Sequence, residues 1–133
     1  MNLSLKEMAI IKPKESKMIT SKELQFNLSQ FTGTLNWYKN PLLSYRYTDG
    51  VKYFAEYAEC YWLLQEINAL WQRRGNESFF YITVESVKHM ANIIVEDGNG
   101  KQLATRKIPF TDLPEGTWNF YLTDNVLMLP SEY

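Results

Sequence analysis

The spacing of hydrophobic positions changes about half-way along the 133-residue chain. Between residues 48 and 73, apolar side chains recur every three or four positions, as on one face of an α-helix. Thr48 and Asp49 can cap the start of such a helix, and Gly75 follows its end. The pattern predicts one long helix that ends at about residue 73. A slip of phase near Glu59 indicates a kink or burial over a wide arc.

From residue 78 onward the spacing becomes two, which is typical of β-strands. Segments rich in β-branched and aromatic residues predict strands at residues 78–85, 91–96 and 102–108. Residues 97–100, Asp-Gly-Asn-Gly, predict a hairpin turn. After a predicted turn at residues 111–116, residues 118–122 and 126–129 predict a fourth strand and a fifth. We expect the first three of these strands to form an antiparallel meander.

A helix with one apolar face and a sheet with one wet face each need a covering surface. The predicted fold class is therefore α+β, with one long helix in the N-terminal half packed on an antiparallel sheet of four to five strands in two layers. The length suits one domain, which we place at residues 23–133. Residues 1–22 lack a hydrophobic period, which predicts a flexible N-terminal tail.

Residue types that carry most catalytic and metal chemistry are scarce in this chain. Aromatic residues make up 15% of it, but His89 is the one histidine and Cys60 the one cysteine. Cys60 in the predicted helix is expected to be a small buried hydrophobe, and His89 a turn residue. Glu56, Glu59 and Glu66 favour a solvated helix face. We expect no catalytic residue, no metal site and no cofactor.

The balance of charge argues against a general binder of nucleic acid. The net charge is −1, and most of the lysine excess lies in the first 25 residues, so the remainder is mildly acidic. Such a surface suits a basic protein partner better than nucleic acid. No segment is apolar enough to span a bilayer, and there is no secretion signal, so we expect a cytoplasmic protein without membrane contact. The oligomeric state stays open.

Residues 24–31 predict a short strand or a turn of helix, and residues 35–47 an irregular or briefly helical segment. The second segment contains the candidate partner-binding residues Trp37, Tyr38, Tyr45, Arg46 and Tyr47. Tyrosine, tryptophan and arginine are enriched in protein-binding hot spots, and aromatic rings also stack on bases. These rings either cover the edge of the core or contact a partner. If they are exposed, protein recognition is favoured because positive charge beside them is sparse.

Blocks of sequence resemble a family of short, functionally uncharacterised bacterial proteins that are often found on phages and plasmids. The blocks are NLSQFTGT at residues 27–34, YTDGVKY at 47–53, YWLLQEI at 61–67, TDLP at 111–114 and LPSEY at 129–133. The resemblance covers about residues 24–133, and Glu59 and Cys60 depart from the small residues typical of that part of the family. It implies no catalytic residue. It does imply a mobile-element setting, in which many small proteins bind and block a host defence protein.

The first functional hypothesis is therefore a non-catalytic protein-binding module of a mobile genetic element that inhibits a host defence system such as a CRISPR nuclease. A second is a nucleic-acid-binding accessory protein that uses the aromatic residues for stacking and the tail lysines for phosphates. A third is a small carboxylate-dependent enzyme, which needs a pocket that joins the helix carboxylates to Asp49 or Asp112.

Overall fold

A computed structural model describes residues 20–133, and within them three short α-helices lie on one side of a seven-stranded sheet. The helices are α1 (Ser21–Leu28), α2 (Asp49–Tyr57) and α3 (Tyr61–Gln72). The strands are β1 (Trp37–Lys39), β2 (Arg46–Thr48), β3 (Phe79–Val87), β4 (Met90–Glu96), β5 (Gln102–Ile108), β6 (Gly116–Thr123) and β7 (Val126–Met128). A 3-10 turn at Pro130–Glu132 ends the chain. Except for its last three residues, the predicted tail at residues 1–22 lies outside the described residues.

The prediction of one long helix was wrong, because the chain leaves the helix between α2 and α3. Glu59 adopts a left-handed backbone with a φ of 52°. The N–H of Glu59 donates to the carbonyl of Glu56, and the N–H of Cys60 donates to the carbonyl of Ala55 at 2.9 Å. This pair of hydrogen bonds is a Schellman motif, which normally has glycine at the left-handed position. The slip of phase near Glu59 therefore marks the end of one helix and the start of another.

The predicted antiparallel sheet of four to five strands was also wrong. The strand order is β1-β2-β7-β6-β3-β4-β5, and β2 runs parallel to β7, so the sheet is mixed. The additional strands β1 and β2 contain three residues each and lie in the segment predicted to be irregular. Strands this short show no alternation that a pattern could detect. The antiparallel pairing of β3 with β4 and of β4 with β5 follows the predicted meander, whereas β6 pairs with β3 and not with β5.

Helices α2 and α3 cover one face of the sheet and form the core with it. Phe54 of α2 meets Phe120 of β6 edge to face, with ring centroids 5.2 Å apart. Trp71 of α3 meets Phe80 of β3 in the same way at 4.9 Å. Phe80 and Ile82 alternate with residues that point to the opposite side of the sheet. We call that opposite side the open face, because no α-helix within residues 20–133 packs on it.

The start of α2 is held by a side chain from the end of the chain. Thr48 caps the helix as predicted, since its Oγ1 accepts a hydrogen bond from the N–H of Val51. The carboxylate of Glu132 accepts hydrogen bonds from the N–H of Gly50 at 2.9 Å and from the hydroxyl of Thr48 at 2.6 Å. A Cβ on residue 50 would lie 2.5 Å from Leu129 Cδ1 and 2.6 Å from Glu132 Oε1. Only glycine therefore allows Glu132 to approach this closely.

Replacement of Gly50 by alanine is expected to destabilise the protein. The added methyl group must displace Leu129 and the hydrogen-bonded carboxylate of Glu132, which outweighs the gain in helix propensity. Crowding of this kind costs about 1 to 3 kcal/mol of unfolding free energy, measurable by urea denaturation. Gly33→Ala is the matched control, because nothing lies within 4 Å of its added methyl group. Equal stability of both variants would contradict this account of the α2 terminus.

Candidate functional site

The structure separates the candidate residues of the 35–47 segment. Tyr45 and Tyr47 are buried on the helix-covered side, where the hydroxyl of Tyr45 donates to the carbonyl of Leu64 in α3. Tyr38 stacks on Tyr47 with ring centroids 5.7 Å apart. These three tyrosines therefore cover the core, as one of the two interpretations of the segment expected.

Trp37 and Arg46 are exposed and lie on the other side of the sheet. Trp37 is opposite Thr48 in the β1–β2 register, and Arg46 is opposite Val126 in the β2–β7 register. Because side chains alternate along a strand, Trp37 and Arg46 both belong to the open face. Their role as partner-binding residues stays a prediction.

Aromatic rings from β3, β6 and the C-terminus gather on the open face. Ring centroids lie 5.3 Å apart between Tyr121 and Phe79, 5.5 Å between Tyr121 and Tyr81, and 5.1 Å between Tyr121 and Tyr133. Tyr133 is 72% exposed, and the other three side chains are half-buried. We call Phe79, Tyr81, Tyr121 and Tyr133 the aromatic cluster. The ring of Tyr121 is tilted by 49° from Phe79, by 55° from Tyr81 and by 89° from Tyr133, so the rings present both faces and edges to the outside.

The orientation of Tyr81 is held by hydrogen bonds along the sheet. Its hydroxyl donates to Asn119 Oδ1 at 3.2 Å, and Thr83 Oγ1 donates to the same oxygen at the same distance. Asn119 lies on β6 directly opposite Thr83 of β3. A ring already held in one orientation loses little rotational freedom when a partner packs on it.

A groove with two carboxylates borders the aromatic cluster. It has a volume of about 260 Å³ and lies between the rings of Phe79, Tyr81 and Tyr121 and the β4–β5 hairpin. Glu96 stands opposite Tyr81 in the β3–β4 register, and Asp97 follows it. We call this the acidic groove. Within residues 20–133, Glu96 has no ion pair.

The hairpin holds the carboxylate of Asp97 through one of its oxygens. Asp97 Oδ1 accepts hydrogen bonds from the N–H of Asn99 at 2.8 Å and from the N–H of Lys101 at 2.9 Å. Gly100, with a φ of 85°, supplies the left-handed residue of the turn. In the described part of the chain, the second oxygen of Asp97 accepts no hydrogen bond, so it can bind a donor from outside.

A larger pocket, of about 530 Å³, lies beside α2 and contains both Asp49 and Glu56. The carboxylate of Asp49 accepts hydrogen bonds from the N–H of Leu35 at 2.9 Å and from the hydroxyl of Tyr38 at 2.7 Å. Glu56 pairs with Lys52, with Nζ and Oε1 2.6 Å apart. The two carboxylates of this pocket are therefore engaged within the protein.

The pKa values beside α2 move away from the range that proton transfer at neutral pH requires. Burial opposes ionisation of Asp49, but hydrogen bonds from Leu35, Tyr38 and Thr34 outweigh it and lower its pKa. Burial, together with the hydrogen bond to Asp49, raises the pKa of Tyr38 to about 12. General acids and bases work best with pKa values near the operating pH. Asp49 is thus better suited to holding the 34–38 segment through hydrogen bonds than to transferring protons.

Of the remaining candidates for chemistry, Cys60 is buried, whereas His89 and Asp112 lie near each other at the surface. Cys60 is fully buried, and burial raises the pKa of its thiol well above the ordinary value. His89 and Asp112 are exposed, with Nδ1 and Oδ1 4.0 Å apart. Across residues 20–133 there is no group of three or more histidine, cysteine, aspartate or glutamate side chains placed to hold a metal ion. In the same range, no helix is both long enough and apolar enough to cross a membrane.

Residues 22–133 match the model of a family of unknown function, DUF6876. The chain belongs to this family. No curated protein and no solved structure shows a significant match to the chain. The acidic groove and the aromatic cluster both lie within the matched residues.

Pattern analysis missed the aromatic cluster, although β3 carries a signal for it. Phe79 and Tyr81 alternate with Phe80 and Ile82, so both faces of this strand are apolar or aromatic. A strand with one wet face shows polar residues at every second position. Two apolar faces indicate that the second face is covered or binds something. Tyr121 joins the cluster through the pairing of β6 with β3, and Tyr133 joins it by packing on Tyr121. Both residues are distant in sequence from Phe79 and Tyr81.

Replacement of Asp49 by asparagine is expected to lower the unfolding free energy at pH 7 by about 1 to 3 kcal/mol. The reason is that an amide cannot accept all the hydrogen bonds that the carboxylate receives. The folded pKa of Asp49 is below the unfolded value, so this stabilisation is present above the unfolded pKa and is lost as pH falls through the folded pKa. The difference from wild type should therefore shrink between pH 5 and pH 2 in denaturant titrations.

Asp124→Asn is the control for this pH experiment, because residue 124 has a left-handed backbone that asparagine also adopts readily. It should change stability by less than about 0.5 kcal/mol. A constant difference between wild type and Asp49→Asn across the pH range would contradict the role given to the carboxylate.

Proposed function

We propose that this protein is a non-catalytic protein-binding module and that the open face of its sheet is the interface. The aromatic cluster carries the proposal. Tyrosine rings that are half-buried and held in place contribute contact area with little loss of conformational freedom, which is typical of binding hot spots. Trp37 and Arg46, the exposed members of the predicted partner-binding segment, lie on the same face.

The charges beside the aromatic cluster favour a protein partner over nucleic acid, whereas Lys39, Arg46 and Lys107 lie elsewhere on the open face. Glu96 and Asp97 border the rings on which bases would have to stack. Binding of a nucleic acid strand draws its affinity from lysine and arginine side chains that neutralise phosphates. Carboxylates beside the stacking surface would repel the same phosphates. A basic side chain of a protein partner would instead be attracted to the acidic groove.

An enzymatic role is less well supported by the pocket beside α2. That pocket does join a helix carboxylate, Glu56, to Asp49, as the enzymatic alternative required. However, Asp49 accepts hydrogen bonds from the loop that it holds, and Glu56 pairs with Lys52. Catalysis would need one of these carboxylates to exchange protons near neutral pH. The pocket therefore favours a structural or binding role.

The setting and the target of the module form the finer part of the proposal. The blocks described above resemble proteins of phages and plasmids, and this resemblance suggests a cytoplasmic protein that inhibits a host defence protein such as a CRISPR nuclease. A nucleic-acid-processing protein offers basic surface, which matches the charge of the acidic groove. Occlusion of such a surface would block access of its nucleic acid.

Capture of a partner is expected to depend on the aromatic cluster. The full chain, immobilised and exposed to a nuclease-treated bacterial lysate, should retain a stoichiometric protein. Tyr121→Ser should reduce that capture by about tenfold or more, because it removes the central ring of a hot spot. Phe26→Ser, which removes an exposed aromatic residue on α1, should leave it unchanged. Circular dichroism and thermal melting would verify that both variants fold.

Equal capture by Tyr121→Ser and wild type would overturn the assignment of the open face. Retention of nucleic acid alone before nuclease treatment would move the accessory-protein hypothesis to first place. If a CRISPR nuclease is captured, addition of the full chain should slow its cleavage of target DNA, and Tyr121→Ser should not. Normal cleavage in the presence of bound protein would contradict the inhibitory role.

A further inference from the structure

We infer that the acidic groove binds one arginine side chain of the protein partner. This inference rests on the proposed protein-binding function and adds the chemistry that the partner must present. The groove combines three aromatic rings with two carboxylates in a volume of about 260 Å³. Pockets for drug-sized ligands are generally larger than this, so the groove suits a single long side chain.

The rings and carboxylates match the two binding modes of a guanidinium group. Its planar face stacks on aromatic rings, and Phe79, Tyr81 and Tyr121 form one wall of the groove. Its N–H groups form paired hydrogen bonds with carboxylates, which Asp97 and Glu96, beside Tyr81 on the neighbouring strand, supply in the same groove. A lysine ammonium can be attracted to the same carboxylates but lacks the flat face and is more strongly hydrated.

The two carboxylates of the acidic groove can still bind a cation. Glu96 has no ion pair within residues 20–133, and the hairpin occupies only Oδ1 of Asp97. Lys101 belongs to the same hairpin, but its ammonium pairs with neither carboxylate in the described structure. The backbone N–H groups that hold Asp97 also fix where its second oxygen lies. An arginine would therefore meet a preformed site.

Gly98 offers a way to fill the groove without disturbing the fold. A Cβ at this position would lie 3.6 Å from Cδ1 of Phe79, an ordinary contact, and the backbone of residue 98 is not left-handed. Gly98→Ala should therefore fold normally while placing a methyl group against the ring wall. This variant reduces the space in the groove without changing its charge, so the effect of space can be measured separately from the effect of charge.

The test is a titration of the ¹⁵N-labelled full chain with N-acetyl-arginine methylamide, followed by amide chemical shifts at Gly98 and Gly100. The matched neutral probe is the citrulline derivative, which has the same shape without the charge. We expect saturable shifts with the arginine probe and about tenfold weaker binding of the citrulline probe. Glu96→Gln should weaken arginine binding about threefold, and Gly98→Ala should weaken it as well. Glu85→Gln, on the open face but outside the groove, should not.

Absence of saturable shifts, or equal binding of both probes, would overturn the arginine assignment. This failure is distinguishable from failure of the proposed function. If the captured partner still depends on Tyr121 but Glu96→Gln has no effect on capture, the open face remains the interface and the arginine pocket is wrong. If capture does not depend on Tyr121, the proposed function fails whatever the probe does.

Discussion

The contact between Glu132 and the first turn of α2 is the interaction on which the arrangement of the chain depends most. Its carboxylate joins Thr48 and Gly50 at the helix start to the backbone of Leu129 near the C-terminus. That tie fixes the end of the chain beside β2, where β7 pairs in parallel and completes the mixed sheet. Asp49, which lies between Thr48 and Gly50 in the same turn, holds the loop before β1. The positive end of the helix dipole favours both carboxylates.

These two carboxylates at one helix end respond to pH in opposite directions. Hydrogen bonds overcome burial at Asp49 and lower its pKa, whereas burial overcomes the hydrogen bonds at Glu132 and raises its pKa. The contribution of Glu132 to stability is therefore greatest below its unfolded pKa and falls as pH rises through its folded pKa. The contact also bears on the proposed interface, because Tyr133 follows Glu132 and packs on Tyr121 and Phe79. The helix cap thereby positions part of the aromatic cluster.

Local signals in the sequence predicted the local features of this fold and missed the long-range ones. The cap at Thr48 and the hairpin at residues 97–100 follow from side-chain chemistry of a few neighbouring residues, and both predictions are confirmed. The helix break at Glu59 has no glycine at the left-handed position, so the slip of phase there predicted a kink or wide burial and not the end of a helix. Segment 35–47 forms three-residue strands, and β2 finds its second partner in β7, where Arg46 lies opposite Val126 far along the chain. The aromatic cluster likewise requires the β3–β6 register.

The aromatic surface, on which no α-helix of residues 20–133 packs, also has a physical explanation. Tyrosine tolerates partial exposure because its hydroxyl remains in contact with water or with polar groups such as Asn119. Contacts among the rings bury part of each side chain, which limits the apolar area left to solvent. The carboxylates of the acidic groove add charge beside the rings and disfavour pairing with a second acidic face. The open face can therefore remain in contact with water when no partner is bound, and it still offers a preformed surface to a basic side chain of a partner.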